Sequence, residues 1–338
     1  MVRKYWPTGI LVLCALVCLT SCSGPVSQPS DAAAAKVVYL IGSVDTAIKG
    51  YSVQAATNAL PMSTLTYPPN YYGGPVATDS SGQLYVAVAL NPVNPVNPGD
   101  IFVYPPNSTG EATPSRTIDL NTYDVCALAV DANGLLYVAI NPGSDVTQEV
   151  VVYPADASGN ANPLRTLAVT GFAQILDIAV DAAGNVYLAG YTGNGNNAIA
   201  VYSPDVSGSA AVPTRTISFP NSNVYGVAVD AAGDIFANVC RNCQNTSMDV
   251  EEFAPDASGA ASPINTINLP LGAAVRFGNG GPVRLDSLGN IFTSAEVLSN
   301  QDLFDIVVFS FAPTATGDAA PIAQIMPADG YANYFAVN

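Results

Sequence analysis

The chain contains no histidine. Every mechanism that needs imidazole, as base or as metal ligand, is thereby excluded, including Ser-His-Asp and Cys-His nucleophiles. Cations are scarce as well: 10 Lys and Arg stand against 26 Asp and Glu, for a net charge of −16 at pH 7. Ten scattered cations make no basic stripe, so nucleic acid is not an expected partner. Tryptophan occurs once, and charged residues are only 11% of the 338. What fills their place is 28 Gly, 26 Pro, 17 Tyr and 11 Phe, a composition suited to short strands and tight turns.

The N-terminal residues read as a targeting segment. Arg3 and Lys4 precede an apolar run from Ile10 to Leu19, long enough for a signal h-region and too short to span a bilayer. The run ends in Leu19-Thr20-Ser21-Cys22. Small residues before such a cysteine resemble the lipobox of bacterial lipoproteins. The resemblance implies a signal peptide over 1–21, lipidation of Cys22 and anchoring in the cell envelope. Ser23, where an Asp would mean inner-membrane retention, implies the outer membrane. Residues 22–35 have linker composition and are expected to form a flexible tether. Removing 1–21 takes away two cations and no acid, so the net charge moves from −16 to −18. Cys126, Cys240 and Cys243 remain to the folded part. Cys126 sits in an apolar strand pattern and reads as a buried small hydrophobe. The Cys240-Arg-Asn-Cys243 spacing allows a small disulfide; a redox or metal pair is the other reading, weakened by the lack of a second pair.

Internal repetition organises the rest. Asp-x-x-Gly turns begin at Asp79, Asp131, Asp181, Asp230 and Asp286, about 50 residues apart. Aromatics follow these turns or their equivalent at Tyr39, Tyr85, Tyr137, Tyr187, Phe236 and Phe292. Other aromatics close an alternating strand at Tyr51, Tyr104, Tyr153, Tyr202, Phe253 and Phe309. Pro-x-x-Thr-Ile or a near variant begins at Pro61, Pro114, Pro163, Pro213, Pro263 and Pro321. Each unit reads as four strands, a to d, which predicts an all-β, six-bladed β-propeller of antiparallel blades over 36–338. The first unit lacks strand a. Tyr334-Phe-Ala-Val-Asn338 matches that strand in register, so the C-terminal strand is expected to close the ring.

The run Ile178 to Thr192 resembles NHL-type and related bacterial β-propeller repeats. That likeness covers the whole folded region and implies the fold. It says little about function, because those families include binding scaffolds, sensors and enzymes. The sequence departs from the NHL pattern in strand c, where apolar-Tyr-Pro and a Gly/Ala-rich loop stand instead.

The Asp-x-x-Gly turns are read as structural, since one carboxylate per turn is too few for a calcium loop. Arg116, Arg165 and Arg215 recur in strand d and are read as solvated edge cations. The a–b turns are uniform, while the b–c and d–a connections vary, which marks their face for ligand binding. Tyr72, Tyr123, Phe172, Tyr225, Phe277 and Tyr334 are expected around its channel mouth, either as a ligand rim or as inter-blade packing. Arg276 is a cation able to orient an anionic ligand there. The loop 91–98, Asn-Pro-Val-Asn-Pro-Val-Asn-Pro, is read as a stiff protein-contact arm. Three functions are carried forward. The first is an envelope-anchored, monomeric binding module for a protein or carbohydrate, with no cofactor. The second is a calcium-dependent hydrolase or lactonase of the gluconolactonase type, with Asp124, Asp177, Asn223 and Asp305 as oxygen ligands. The third is a structural surface protein.

Overall fold

The computed structural model describes residues 36–41, 46–90, 99–120, 125–142, 147–192, 196–241, 247–271, 280–298, 304–327 and 334–338, without the side chains of 90, 209, 210, 297, 298, 304 and 305. Cys22 and the rest of 1–35 lie outside the described residues. Every internal gap in that description is a b–c or a d–a connection.

The described residues form strands and no helix. Blade 1 holds β1 (Val37–Ile41), β2 (Ala47–Ser52) and β3 (Ser63–Thr66). Blade 2 holds β4 (Tyr71–Thr78), β5 (Leu84–Leu90), β6 (Asp100–Tyr104) and β7 (Arg116–Asp119). Blade 3 holds β8 (Val125–Val130), β9 (Leu136–Ile140), β10 (Gln148–Tyr153) and β11 (Arg165–Val169). Blade 4 holds β12 (Phe172–Val180), β13 (Val186–Thr192), β14 (Asn197–Tyr202), a short β15 (Gly208–Ala211) and β16 (Arg215–Phe219). Blade 5 holds β17 (Ser222–Val229), β18 (Ile235–Arg241), β19 (Met248–Phe253) and β20 (Asn265–Asn268). Blade 6 holds β21 (Gly280–Leu285), β22 (Ile291–Leu298), β23 (Phe304–Phe311) and β24 (Ala323–Ile325). The last strand, β25 (Tyr334–Val337), pairs antiparallel with β1 in the register Val38 to Val337 through Ile41 to Tyr334. The molecule is thus a six-bladed propeller closed by its C-terminal strand.

Neighbouring blades bury both faces of each sheet, which is why strands a and b read as continuous apolar runs. Leu136, Val138 and Ile140 of β9 face blade 2, while Tyr137 and Ala139 face blade 4. Six apolar clusters result, one at each seam between blades. The aromatic ending strand c is buried in every blade. In blade 6 the paired register puts Phe311, opposite Ile291, in that role and leaves Phe309 two residues inside the strand. The sequence pattern alone misplaced this marker, because Phe309 and Phe311 share one sheet face.

The Asp-x-x-Gly turns behave as structural hairpin turns. Asp181 Oδ1 accepts from the amides of Ala183 at 2.9 Å and Asn185 at 2.8 Å. Asp79, Asp131, Asp230 and Asp286 repeat that pair of bonds on their own turns. The Asp286 carboxyl also accepts from Lys36 at 3.0 Å. Burial pushes its pKa up, but hydrogen bonds from Asn290, Lys36 and Leu288 outweigh that and leave it lowered.

The strand-d arginines are not solvated edge cations. Each guanidinium lies over the tyrosine after its own blade's turn: Arg116 over Tyr85 at 5.9 Å, Arg165 over Tyr137 at 5.9 Å, Arg215 over Tyr187 at 5.7 Å. The tyrosine hydroxyl in turn donates to the turn carboxylate, at 3.0 Å for Tyr187 and Asp181. Arg116 also reaches the next blade, donating to the carbonyls of Ala155 at 2.7 Å and Ala157 at 3.0 Å. Arg165 does so to Val206 at 3.3 Å. Blade 5 has Phe236 and Asn265 in these places, and Asn265 keeps the link by donating to Ala315 at 2.9 Å.

A second device joins the seams on the face of the a–b turns. In each of blades 2 to 6 the c–d loop lays a glycine, parallel, against strand d of the preceding blade. Gly259 donates its amide to Thr216 at 2.7 Å and accepts from the Ser218 amide at 2.7 Å. Gly110, Gly159 and Gly317 make equivalent pairs with β3, β7 and β20, and β15 extends the contact along β11. These glycines have φ between +57° and +100°, the left-handed region where a Cβ is strained. Five outer edges are covered in this way.

Candidate functional site: the axial pocket

The inner strands carry a feature that the apolar pattern conceals. In blades 2 to 6, strand a slips its register midway against strand b, between Val125 and Ala127, for example, and between Val224 and Gly226. The extra residue of such a bulge is re-aimed out of the pleat. Pro75, Cys126, Leu176, Tyr225 and Pro282 sit at the slips, and all five line the channel. With Tyr334 and Phe335 of blade 1 they enclose a cavity of about 110 Å³ on the loop side of the axis. A second cavity of about 210 Å³ opens toward the turn face, walled by Thr78, Val130, Val180, Val229, Leu285 and Val337.

Arg284 lines both cavities. From β21 it bridges to Asp177 of β12, two blades away. Nη1 lies 2.9 Å from Oδ2 and Nη2 lies 2.9 Å from Oδ1. The side chain of Asp177 is 1% exposed and that of Arg284 is 20% exposed. The Val227 amide donates to Asp177 Oδ2 at 2.9 Å, and Arg284 Nη1 donates to the Val283 carbonyl at 2.7 Å. A guanidinium has five N–H donors. The Nε–H and one Nη2–H of Arg284 meet no partner among the described residues. The pair is electrically neutral as a unit. An anionic ligand that drew Arg284 away would strand a buried carboxylate, an expensive outcome. Uncharged oxygen acceptors fit the remaining donors without that cost.

A side-chain chain of hydrogen bonds fixes the aromatic wall. Asn197 donates to Asn223 at 3.1 Å, and Asn223 donates to the Tyr225 hydroxyl at 3.1 Å. Tyr191, hydrogen-bonded to Tyr225, has its phenol pushed up to about 12 by burial first and by Tyr225 second. Burial, then the neighbouring Cys126, also raises the Tyr334 phenol. The Cys126 thiol donates to the Ala139 carbonyl at 3.3 Å.

Of the expected rim, the fold brings Tyr225 and Tyr334 together in this pocket. Tyr72 and Phe172 are half-buried away from it, Phe172 against the seam between blades 3 and 4. Tyr123, Arg276, Phe277 and the loop 91–98 lie outside the described residues. Of the oxygen set expected for calcium, Asp124 and the side chain of Asp305 lie outside them too. Asp177 has both oxygens engaged, and Asn223 serves the Tyr225 network. No cluster of three or more His, Cys, Asp or Glu able to hold a metal occurs among the described residues. Cys240 is disulfide-bonded and buried; Cys243 lies outside the described residues. Sequence reasoning missed Arg284. Its one signal was a lone cation in an otherwise apolar inner strand.

No family model matches the chain, and no curated protein matches it. Solved structures do. A protein of unknown function from Bacteroides caccae aligns at a TM-score of 0.59 and 9% identity, covering 89% of this chain and 98% of that one. A protein from Agrobacterium tumefaciens given the name TolB aligns at 0.51 and 11% identity, covering 88% and 92%. At such identities the likeness shows the fold alone.

Proposed function

We propose that this chain is a lipid-anchored binding module of the bacterial cell envelope, at the outer membrane, which takes an uncharged oxygen-bearing group of its ligand into the axial pocket. The observation that carries the reading is Arg284. It is held in place by Asp177, keeps two donors open, and lines the pocket with Tyr225 and Tyr334. An aromatic wall beside fixed donors suits a sugar ring or an amide side chain. Anchoring is supported by the Leu19-Thr20-Ser21-Cys22 motif.

Two measurements test the proposal. In cell fractionation, Cys22→Ala should move the protein from the membrane to the soluble fraction; retention in the membrane would refute the anchor. On arrays of neutral glycans and peptides, the ligands held by the wild-type chain should be lost with Tyr334→Ala. Preference for anionic glycans would refute the pocket chemistry.

A further inference from the structure

Five of the six outer strand edges are covered by a glycine of the next blade, and the sixth is not. In blades 2 to 6 that glycine stands six residues after the buried aromatic of strand c: Gly110 after Tyr104, Gly159 after Tyr153, Gly208 after Tyr202, Gly259 after Phe253, Gly317 after Phe311. The loop of blade 1 has the same length to its proline as those of blades 2, 3, 5 and 6, yet six residues after Tyr51 it carries Thr57. Its left-handed residue is the next one, Asn58, at φ 64°. The shift by one residue removes the bridge. Among the described residues no pair of backbone bonds joins this loop to β24.

The open groups on β24 are identified by the five copies. The covered strands accept at the third residue after their proline and donate at the fifth, as Thr117 and Asp119 do after Pro114. On blade 6 these are the carbonyl of Gln324 and the amide of Met326, and neither has a partner among the described residues. The side-chain link is missing as well, because Ala323 stands where Arg116, Arg165 and Asn265 reach the next blade. Leu60 in the blade 1 loop is 82% exposed, and Ile322, just before β24, is 48% exposed. An unpaired strand edge is a template for an added strand.

We propose that the outer edge of β24 is an interaction site for a protein partner, which inserts a short extended segment carrying glycine parallel to the strand. The chemistry of the occupant is given by the chain's own segments: Ser-Thr-Gly110, Ala-Ser-Gly159, Val-Ser-Gly208, Ala-Ser-Gly259 and Ala-Thr-Gly317. Small residues let the backbones approach, and glycine supplies the left-handed turn. The occupant comes from another protein because all five segments of this chain are engaged at home.

The probe is a synthetic peptide with the sequence of residues 153–164, added to the full chain. Hydrogen exchange should show the Met326 amide slowed at least about tenfold at saturation, with amides of the covered strands unchanged. Peptide with Gly159→Val should bind about tenfold more weakly or worse. Met326→Pro removes the donated N–H at an edge position that tolerates proline, and should abolish binding while melting cooperatively. If that variant unfolds, exchange at Met326 in the unaltered chain decides alone. No binding at millimolar peptide, binding without protection at Met326, or equal affinity for the valine peptide would each overturn the proposal. Concentration-dependent self-association that protects Met326 would assign the edge to a second copy and overturn the partner assignment.

Discussion

Side chains that bridge blades covary inside this one chain. Tyrosine after the turn is accompanied by arginine in strand d in blades 2, 3 and 4; phenylalanine is accompanied by Asn265 or Ala323. A hydroxyl flanked by the turn carboxylate and capped by a guanidinium explains the association. Arg116→Met should therefore cost about 1 kcal/mol or more, and only the part carried by the Tyr85 hydroxyl should vanish in a Tyr85→Phe background, since the ring and the bonds to Ala155 and Ala157 remain. Denaturant unfolding of the four members of the cycle checks this. A second residue-scale outcome concerns Asp249. Burial first and the nearby Glu251 second push its pKa up to about 6, partly offset by Arg241. In the unfolded chain a carboxyl titrates near 3.9. The folded state thus holds the proton more tightly between about pH 4 and 6, and stability falls as pH rises through that window. Asp249→Asn should raise the melting temperature at pH 8 and leave it nearly unchanged at pH 4, which calorimetry at both pH values reads directly. Turn aspartates were legible in the sequence because each needs only itself, two amides and a glycine. Asp177 and Arg284 were not legible as a pair. They lie two blades apart, and local spacing carries no record of a contact across the axis.

At the scale of elements, strand order, turn positions and closure were readable because the repeat states them six times. The bulges were not. Val125-Cys126-Ala127-Leu128-Ala129-Val130 is small or apolar on both faces, so a slip of one residue leaves the pattern intact, yet it decides which side chains meet the channel. The c–d loops were read only as Gly/Ala-rich, and their covering role depends on the sign of one φ. Gly259 tests that role without a packing complication, since a Cβ there would touch nothing within 4 Å. Gly259→Ala should cost about 1 kcal/mol through backbone strain alone, seen as a melting temperature lower by about 2 °C. The reciprocal change, Thr57→Gly, should allow blade 1 to cover β24, raise the melting temperature and slow exchange at Met326.

For the whole molecule, stability is that of a closed ring, because each seam shares one apolar cluster between two blades. The seam between blades 6 and 1 unites Val38 and Tyr51 with Phe292, Ile325, Phe335 and Val337. Deleting residues 334–338 removes the inner strand of blade 1 and exposes both β1 and the channel wall. The truncated chain should lose its cooperative transition in circular dichroism, whereas removal of residues 1–35 should preserve it. Pairing of Val38 with Val337 has a temporal consequence. A chain made from its N-terminus cannot finish its first blade until residues 334–337 arrive. Throughout that interval β1 presents an unprotected apolar edge, and the final strand is an obligatory last step. Folding of this protein is accordingly timed by the arrival of that closing strand. A stalled or shortened product declares itself by an unfinished first blade, the kind of surface that quality-control proteases and chaperones recognise.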